Sequence, residues 1–434
     1  MQTLVALLRR VAPSWAVGAY HYAQAWSAAL WFGFPSRRLC VIGVTGTDGK
    51  STTVEMIAHI LNAAGMKTAI SSSIHIGVGE AVRKNTMKMS MPGPFALQRL
   101  LREAVSAQCS HAVLEVSSEG VIQHRHVCIE FHAAVLTNIY PEHIERHGSF
   151  EAYRKAKMRF VRRARAVHVL NAEDKNLEFF VHLPAERTYL FSTDAAHSAG
   201  GHETIIVEHI EETPEGISFS VRGVPFRLPL LGRVNAYNAA SALCVALSQG
   251  VPLETASAAL KTIARVPGRM EAVANNPFTV LVDYAVTPNA LQNLYETAKR
   301  IWKPNRMVCV FGACGGGRDA WKRPVLGEIA GRHCDAIILT NEDPFDEHPA
   351  RIVSEIRGGI DREREVWEVL DRREAIQKAY SLAGRGDLVV LSGKGSEDSI
   401  TLARGEKIPW NEVEIAQELF RSHSSMDRAQ PSEG

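Results

Sequence analysis

The sequence has no CxxC pair, and its seven cysteines (Cys40, Cys109, Cys128, Cys244, Cys309, Cys314 and Cys334) are scattered through apolar or glycine-rich stretches. An odd total without paired spacing argues against a zinc site and a disulfide framework, so reduced thiols in a cytoplasmic protein are expected. An excess of either charge is also missing, since 49 Lys plus Arg stand against 47 Asp plus Glu. That balance gives no reason for a nucleic-acid partner and disfavours a large polyanionic ligand. Acidic residues are absent from the first 39 positions, which carry Arg9, Arg10, Arg37, Arg38 and three of the seven tryptophans, Trp15, Trp26 and Trp31. Residues 11–36 lack Lys and Arg as well, but Pro13, Gly18, His21 and Gln24 dilute them below a spanning helix. Two readings of residues 1–38 stand. The expected one is a helical extension packed on the first domain, and the other is a helix lying on a membrane surface.

At 434 residues the chain has the length for two large cores. From Leu39 onward, short β-branched runs alternate with helical stretches: VIGV, KTAIS, HAVLEV (111–116) and HAAVLTNI (132–139) read as buried parallel strands of a doubly wound α/β domain. Residues 202–230 switch to alternation around ProGluGly and read as a small antiparallel sheet. After a helix at NAYNAASALCVALSQG and the connector ValProGlyArgMetGlu (266–271), the runs TVLVDYA, MVCVFGA, AIILT and DLVVLSG announce a second α/β domain. The expected division is 1–38, a helical extension; 39–267, a central P-loop ATPase domain; 268–421, a Rossmann-like C-terminal domain; and 422–434, a polar disordered tail.

Residues 41–53, VIGVTGTDGKSTT, pass from strand to helix through Gly46, Thr47, Asp48, Gly49, Lys50, Ser51 and Thr52. Glycines let the backbone approach an anion, N–H groups at the helix start face it, Lys50 supplies charge and Ser51 offers a Mg²⁺ ligand. The spacing is shorter than in the general Walker pattern, because Val44 stands where that pattern has its first glycine. Glu115 ends the strand HAVLEV, where a Mg²⁺ ligand belongs beside a phosphate loop, and Ser117, Ser118, Gln123 and Arg125 lie on the outgoing segment. Glu142 and His143 leave the same edge of the same sheet and raise the prospect of a second metal site. Asn235 reads as a helix cap, whereas Asn238 lies inside the helix, where an amide is suited to an adenine.

The ordered set GTDGKST, EVSS, TNIYPEHIERHGSFEAYRKAK, GRVNAYNAA, PGRME, DYAVTP, GGGRDAWKRP and SGKGSE, over roughly residues 39–420, resembles the Mur ligase family. The resemblance implies an ATP-dependent amide ligase of the acid–amino-acid class. In such an enzyme a carboxylate takes the γ-phosphoryl group of ATP as an acyl phosphate and an amino acid then displaces phosphate. It implies catalytic roles for Lys50, Glu115, His143 and Lys157, and two Mg²⁺ ions with Ser51, Glu115 and His143 among their ligands. Lys157 matches the family lysine that becomes carbamylated. Nucleotide contacts carry over to residues 46–52, to Asn238 for adenine, and to Arg269 and Asp283 for α-phosphate and ribose. Ser117, Gln123 and Arg125 match positions that meet the nucleotide-sugar peptide, and Arg323, Asp343, Gly393 and Glu397 match the pocket for the incoming amino acid.

Three departures from the family pattern carry expectations of their own. Only about forty residues precede the phosphate loop, fewer than the family's uridine-binding domain needs, so recognition of the UDP moiety stands open, with a separate uridine-binding partner as one expectation. The family's Asp-Asn-Pro-Arg reads Glu342-Asp343-Pro344-Phe345, which removes the fork for a distal carboxylate and disfavours meso-diaminopimelate. Asp-Tyr-Ala-His-Thr-Pro reads Asp283-Tyr284-Ala285-Val286-Thr287-Pro288. The expected function is a monomeric ligase of peptidoglycan precursor synthesis acting on a UDP-N-acetylmuramoyl-peptide-like carboxylate. Open beside it stand a ligase on another carboxylate (poly-glutamate, folate or a cyanophycin-like polymer) and a nucleotide-binding homologue without turnover.

Overall fold

The computed structural model describes residues 13–429 apart from positions 80, 86, 88, 199, 200 and 266. The helix expected near the N-terminus is present at Ser14–Phe32, and residues 1–12 lie outside the described ones.

The first sheet has nine strands in the order β4-β3-β2-β5-β1-β6-β7-β8-β9. They are β1 (Cys40–Thr45), β2 (Thr68–Ser71), β3 (His75–Val78), β4 (Ala81–Lys84), β5 (His111–Glu115), β6 (Phe131–Leu136), β7 (Val167–Asn171), β8 (Arg187–Ser192) and β9 (Glu203–Ile206). Every pairing is parallel except β2–β3 and β3–β4 at one edge, where β3 alone runs against the rest. Strand β1 is buried on both faces, with Ile42 and Val44 in one core layer and Val41 in the other. This two-sided burial is why the strands read as apolar runs without alternation. The helix Lys50–Ala63 covers one face by burying Val54, Met56, Ile57, Ile60 and Leu61, each worth about 1.5–3 kcal/mol of burial where complete. Because β1 lies between β5 and β6, the chain leaves it at a topological switch point, where α/β sheets open a crevice beyond their strand ends.

The hairpin around ProGluGly forms within β10 (Glu208–Thr213), β11 (Gly216–Val221) and β12 (Val224–Leu228), an antiparallel sheet of three. Residues 203–206 do not belong to it and instead extend the large sheet as β9, parallel to β8.

The second large sheet runs β13-β14-β18-β15-β16-β17, with β13 (Glu271–Ala274), β14 (Thr279–Asp283), β15 (Met307–Phe311), β16 (Ala336–Leu339), β17 (Glu365–Glu368) and β18 (Leu388–Ser392). Only β13 pairs antiparallel. Two short strands, β19 (Ser399–Thr401) and β20 (Lys407–Pro409), form a separate pair.

Two sequence expectations fail here. Cys309, on β15, and Cys334, at the end of the helix Lys322–His333, form a disulfide with Cα atoms 6.1 Å apart. Packing of that helix on β15 brings together two cysteines separated by 25 positions, which no local spacing reveals. The polar tail is also not irregular from 422: the last helix runs Glu412–Ala429, anchored through buried Ala416 and Leu419. Among the described residues no helix is long and apolar enough to cross a membrane.

Candidate active site between the two sheets

The C-terminal ends of the parallel strands in both sheets border one cavity of about 1580 Å³. On one side stand residues 47–52, Glu115, Ser117, Arg125 and residues 137–143; on the other stand Arg269, residues 283–288, Arg318, Asp319 and residues 396–398.

Gly46 and Gly49 shape the loop after β1. A Cβ on Gly46 would lie 1.8 Å from Thr137 Oγ1, and one on Gly49, at φ +80°, would lie 2.3 Å from Asn238 Oδ1. Neither position has room for a side chain, and Gly49 holds a left-handed backbone that favours glycine. The loop is pinned from beyond β6. Thr47 and Asp48 N–H donate to Asn138 Oδ1 at 3.2 and 2.9 Å, and the Thr137 hydroxyl donates to the Asp48 carbonyl at 2.7 Å. The first-turn N–H groups of the helix, which have no helical acceptors, therefore border the cavity on a fixed frame. Lys50 Nζ donates to the Thr47 carbonyl at 2.7 Å, so its charge lies over the same loop.

Ser51 Oγ donates to Glu115 Oε2 at 2.8 Å, and the same oxygen accepts from Ser73 N–H at 2.8 Å and Ser73 Oγ at 3.0 Å. Ser73 sits in the β2–β3 connection, and the sequence reading did not single it out. His143 is placed on the cavity rim with its side chain half exposed. Ligand-type atoms of Glu142, His143 and Asp319 all lie within 4.8 Å of one another. Asp319 comes from the loop after β15 and accepts His143 N–H at 2.7 Å and Ile144 N–H at 2.8 Å. Glu145 returns the contact by accepting Asp319 N–H at 2.6 Å and Ala320 N–H at 2.8 Å. The buried Lys322–Glu142 ion pair, at 2.9 Å, closes the cluster. Burial raises Glu142 to about 7 even though Lys322 opposes it, and Glu142 Oε2 finds no hydrogen-bond partner among the described residues. Burial alone would raise Asp319 too, yet the hydrogen bonds it takes part in and nearby Lys322 hold it down to about 2.

Lys157, on the helix Phe150–Val161, lies under the phosphate loop and does not line the cavity. Its Nζ donates to the Gly46 carbonyl at 2.6 Å and sits 4.6 Å from the centre of the Tyr153 ring. Complete burial, reinforced by the Lys50 charge, pushes its pKa well below the ordinary lysine value.

Asn238 is buried in the helix Val234–Ser248 and stands against Gly49, while Asn235 does not cap that helix. Arg233 is the first flanking residue, and Asn235 Nδ2 donates to the Leu231 carbonyl at 2.7 Å. Asp283 ends β14 and accepts Met270 N–H at 2.7 Å and Ala285 N–H at 2.6 Å; burial raises its pKa. Arg269 stacks its guanidinium 4.3 Å from the centre of the Tyr284 ring. Thr287 Oγ1 donates to Asp48 Oδ2 at 2.9 Å, a direct tie between the second sheet and the phosphate loop.

Ser117 caps the short helix Ser118–Ile122 by accepting Gly120 N–H, and both Ser117 and Arg125 line the cavity. Gln123 does not line it; its Oε1 accepts from Arg125 Nε at 3.1 Å and so orients that guanidinium. The expected amino-acid pocket is only partly assembled. Glu397 lines the cavity, but Asp343, Gly393 and Arg323 do not. Asp343 is held by Lys394 Nζ at 3.1 Å and Thr401 N–H at 2.6 Å, and Gly393 packs on Glu342. Arg323 corrects the sequence expectation most clearly. It is 1% exposed and spends its guanidinium on Glu347 at 3.0 Å, Glu355 at 2.6 Å and the Cys314 carbonyl at 3.1 Å. Arg318, five positions earlier in the same motif, lines the cavity instead, with its guanidinium 4.7 Å from the Phe345 ring centre.

The Mur ligase middle domain matches residues 44–246, and the Mur ligase glutamate ligase domain matches residues 268–395. The chain belongs to the Mur ligase family. It is 38% identical over 413 residues to a UDP-N-acetylmuramyl-tripeptide synthetase of Roseiflexus sp. (strain RS-1), covering 89% of this chain and 79% of the relative. Identity is 34% over 400 residues to a UDP-N-acetylmuramoyl-L-alanyl-D-glutamate--2,6-diaminopimelate ligase of Aquifex aeolicus (strain VF5), covering 91% and 80%. A solved structure of a ligase of that second name superposes with a TM-score of 0.58 at 28% identity, over 89% of this chain and 79% of the other. This Mur ligase is accordingly an ATP-dependent enzyme of the acid–amino-acid ligase type, and Mur ligases use Mg²⁺.

Proposed function

We propose that this Mur ligase adds an amino acid to the terminal carboxylate of a UDP-N-acetylmuramoyl-peptide, in the cytoplasm where ATP and such precursors meet. The observation that carries the reading is the convergence, in one cavity, of a fixed phosphate loop, the Ser51–Glu115 pair and the His143 loop clasped from the second domain.

In this reading Lys50 and the first-turn N–H groups hold the β- and γ-phosphates. Asn238 meets the adenine, and Arg269 and Asp283 meet the α-phosphate and ribose from the other domain. The oxygen-rich donors at Ser51 and Glu115, and the Glu142–His143–Asp319 group with its unpartnered buried oxygen, suit a hard cation such as Mg²⁺. Bound there, Mg²⁺ would neutralise the phosphate and carboxylate charges that must meet. Ser117 and Arg125 orient the acceptor peptide, whose carboxylate oxygen attacks the γ-phosphorus as ADP leaves. Arg318 and Glu397 bind the carboxylate and ammonium ends of the incoming amino acid. Its deprotonated amine attacks the acyl carbon, expelling inorganic phosphate. Lys157, whose pKa burial lowers, adds the nitrogen of its uncharged form to CO₂ and releases a proton, leaving a carbamate beside the phosphate loop. Coupled ADP release with purified protein, UDP-N-acetylmuramoyl-dipeptide and a panel of amino acids tests the reading; turnover that ignores every muramyl acceptor refutes it.

A further inference from the structure

The helix Ser14–Phe32 is packed inside out. It rests on the helix Pro94–Ser106, and its fully buried side chains are alanines, Ala25, Ala28 and Ala29, at most 1% exposed, while Val17, His21 and Phe32 are partly buried. Most of its large residues face outward: Trp31 is 81% exposed, Trp15 76% and Leu30 65%, with Tyr20, Tyr22 and Trp26 also exposed. A helix that merely braces the domain would turn these groups inward, where taking their apolar surface out of water stabilises the fold.

The aromatic face is continuous with a cationic rim. His124 meets the Tyr22 ring edge-on at 5.6 Å, Tyr22 lies 6.4 Å from Trp26, and Trp26 lies 6.0 Å from Phe34. Arg37 stacks 4.7 Å from the Phe34 ring centre. Beside this row, Arg159 and Arg163 are exposed, Arg159 with one guanidinium nitrogen donating to the Val121 carbonyl at 2.5 Å, and both lie close enough to His126 to add to the burial that lowers its pKa to about 3. Arg38 and Arg162 are exposed as well. The acid Glu130 belongs to this rim and is paired with Arg37 at 3.0 Å. No Asp or Glu occurs before Asp48 in the sequence, so the helix brings no charge of its own to repel an anionic surface.

We propose that this face docks on an anionic lipid bilayer, with the uncharged aromatic side of residues 15–31 in the headgroup region and Arg37, Arg159 and Arg163 against lipid phosphates. Tryptophan and tyrosine are the side chains that settle at a membrane–water boundary, and flanking arginines are attracted to an anionic surface. The helix lies on the bilayer and does not cross it, in keeping with the lack of a spanning helix among the described residues.

The test is co-sedimentation of the full chain with phosphatidylcholine vesicles, with and without phosphatidylglycerol, followed by tryptophan emission. Binding is expected to favour the anionic vesicles at least ten-fold, to weaken with salt and to shift the emission to the blue. Trp15→Ser/Trp31→Ser and Arg159→Glu/Arg163→Glu should each lower the partition at least ten-fold. All four side chains are exposed, and an unchanged thermal melt shows that the variants fold. Equal binding to neutral vesicles, no binding to anionic ones, or unaltered binding by both variants overturns the proposal. So does self-association or capture of a stoichiometric protein partner that Trp31→Ser abolishes in the absence of vesicle binding. The measurement needs no turnover, so its outcome is independent of the ligase reading.

Discussion

The carboxylate of Asp319, from the loop after β15, accepts the His143 backbone N–H at 2.7 Å and the Ile144 N–H at 2.8 Å, joining the second sheet to the rim of the phosphate site. Two charge-assisted bonds of this kind are each worth about 1.5–3 kcal/mol. Asp319→Ala leaves both N–H groups without their acceptor. It should lower kcat/KM about hundred-fold or more and also lower the thermal midpoint by several degrees, whereas Asp319→Asn, which keeps an acceptor oxygen, should recover most of the midpoint and less of the activity, as steady-state ADP release and calorimetry will show.

Lys50 places a side-chain ammonium over the loop after β1, at 2.7 Å from the Thr47 carbonyl. Because an interaction aimed at transferring phosphoryl oxygens acts mainly in the transition state, Lys50→Ala should reduce kcat by about 10²–10³-fold. Nucleotide binding, measured by fluorescent ATP displacement, should weaken far less than turnover slows.

The fold was legible in the sequence because strands buried on both faces leave a simple mark. VIGV, HAVLEV, TVLVD and DLVVLS are short, β-branched and unbroken, and all became parallel strands at their expected places. Lys50, Ser51 and Glu115 were legible for a related reason: a phosphate loop and the end of the adjoining strand are fixed by local geometry. The roles of Asp319, Thr287 and Ser73 were not, since each acts on a partner distant in the sequence, even though Asp319 and Thr287 lie inside the motifs GGGRDAWKRP and DYAVTP. Arg318 and Arg323 share one motif, and only the start of the helix at Lys322 decides that Arg323 turns into its own domain while Arg318 meets the cavity.

Lys157 gives a prediction about carbon dioxide. Burial lowers the Lys157 pKa and so enlarges the share of the uncharged amine that reacts with CO₂, so ¹³C-bicarbonate should give a carbamate resonance that Lys157→Met removes. Added bicarbonate should raise wild-type turnover and leave Lys157→Met, which should be at least ten-fold slower, unaffected.

The same residue fixes a sign for stability against pH in carbonate-free buffer. Its folded pKa lies well below the ordinary 10.5, so between the two values the unfolded chain holds more protons than the folded one. Stability contributed at this site therefore rises with pH across that window and reaches its full value above the unfolded pKa. Lys157→Met should flatten the rise, as read from denaturant midpoints on the alkaline side of neutrality.

Phe345 stands where the family pattern has an arginine, and it receives the Arg318 guanidinium at 4.7 Å from its ring centre. With no fork for a second carboxylate at that position, meso-diaminopimelate should be used poorly compared with the preferred amino acid. Phe345→Arg should raise kcat/KM for diaminopimelate about ten-fold, and Arg318→Ala should raise the KM for any amino acid without moving that for ATP.

The most direct test of the account is mass analysis of the product formed from UDP-N-acetylmuramoyl-dipeptide, Mg-ATP and an equimolar pool of amino acids. The account predicts one new amide-linked tripeptide, formed with one ADP per bond and missing with Lys50→Ala. ATP hydrolysis without an amide product, or an amide formed only on a carboxylate that carries no muramyl group, would contradict it.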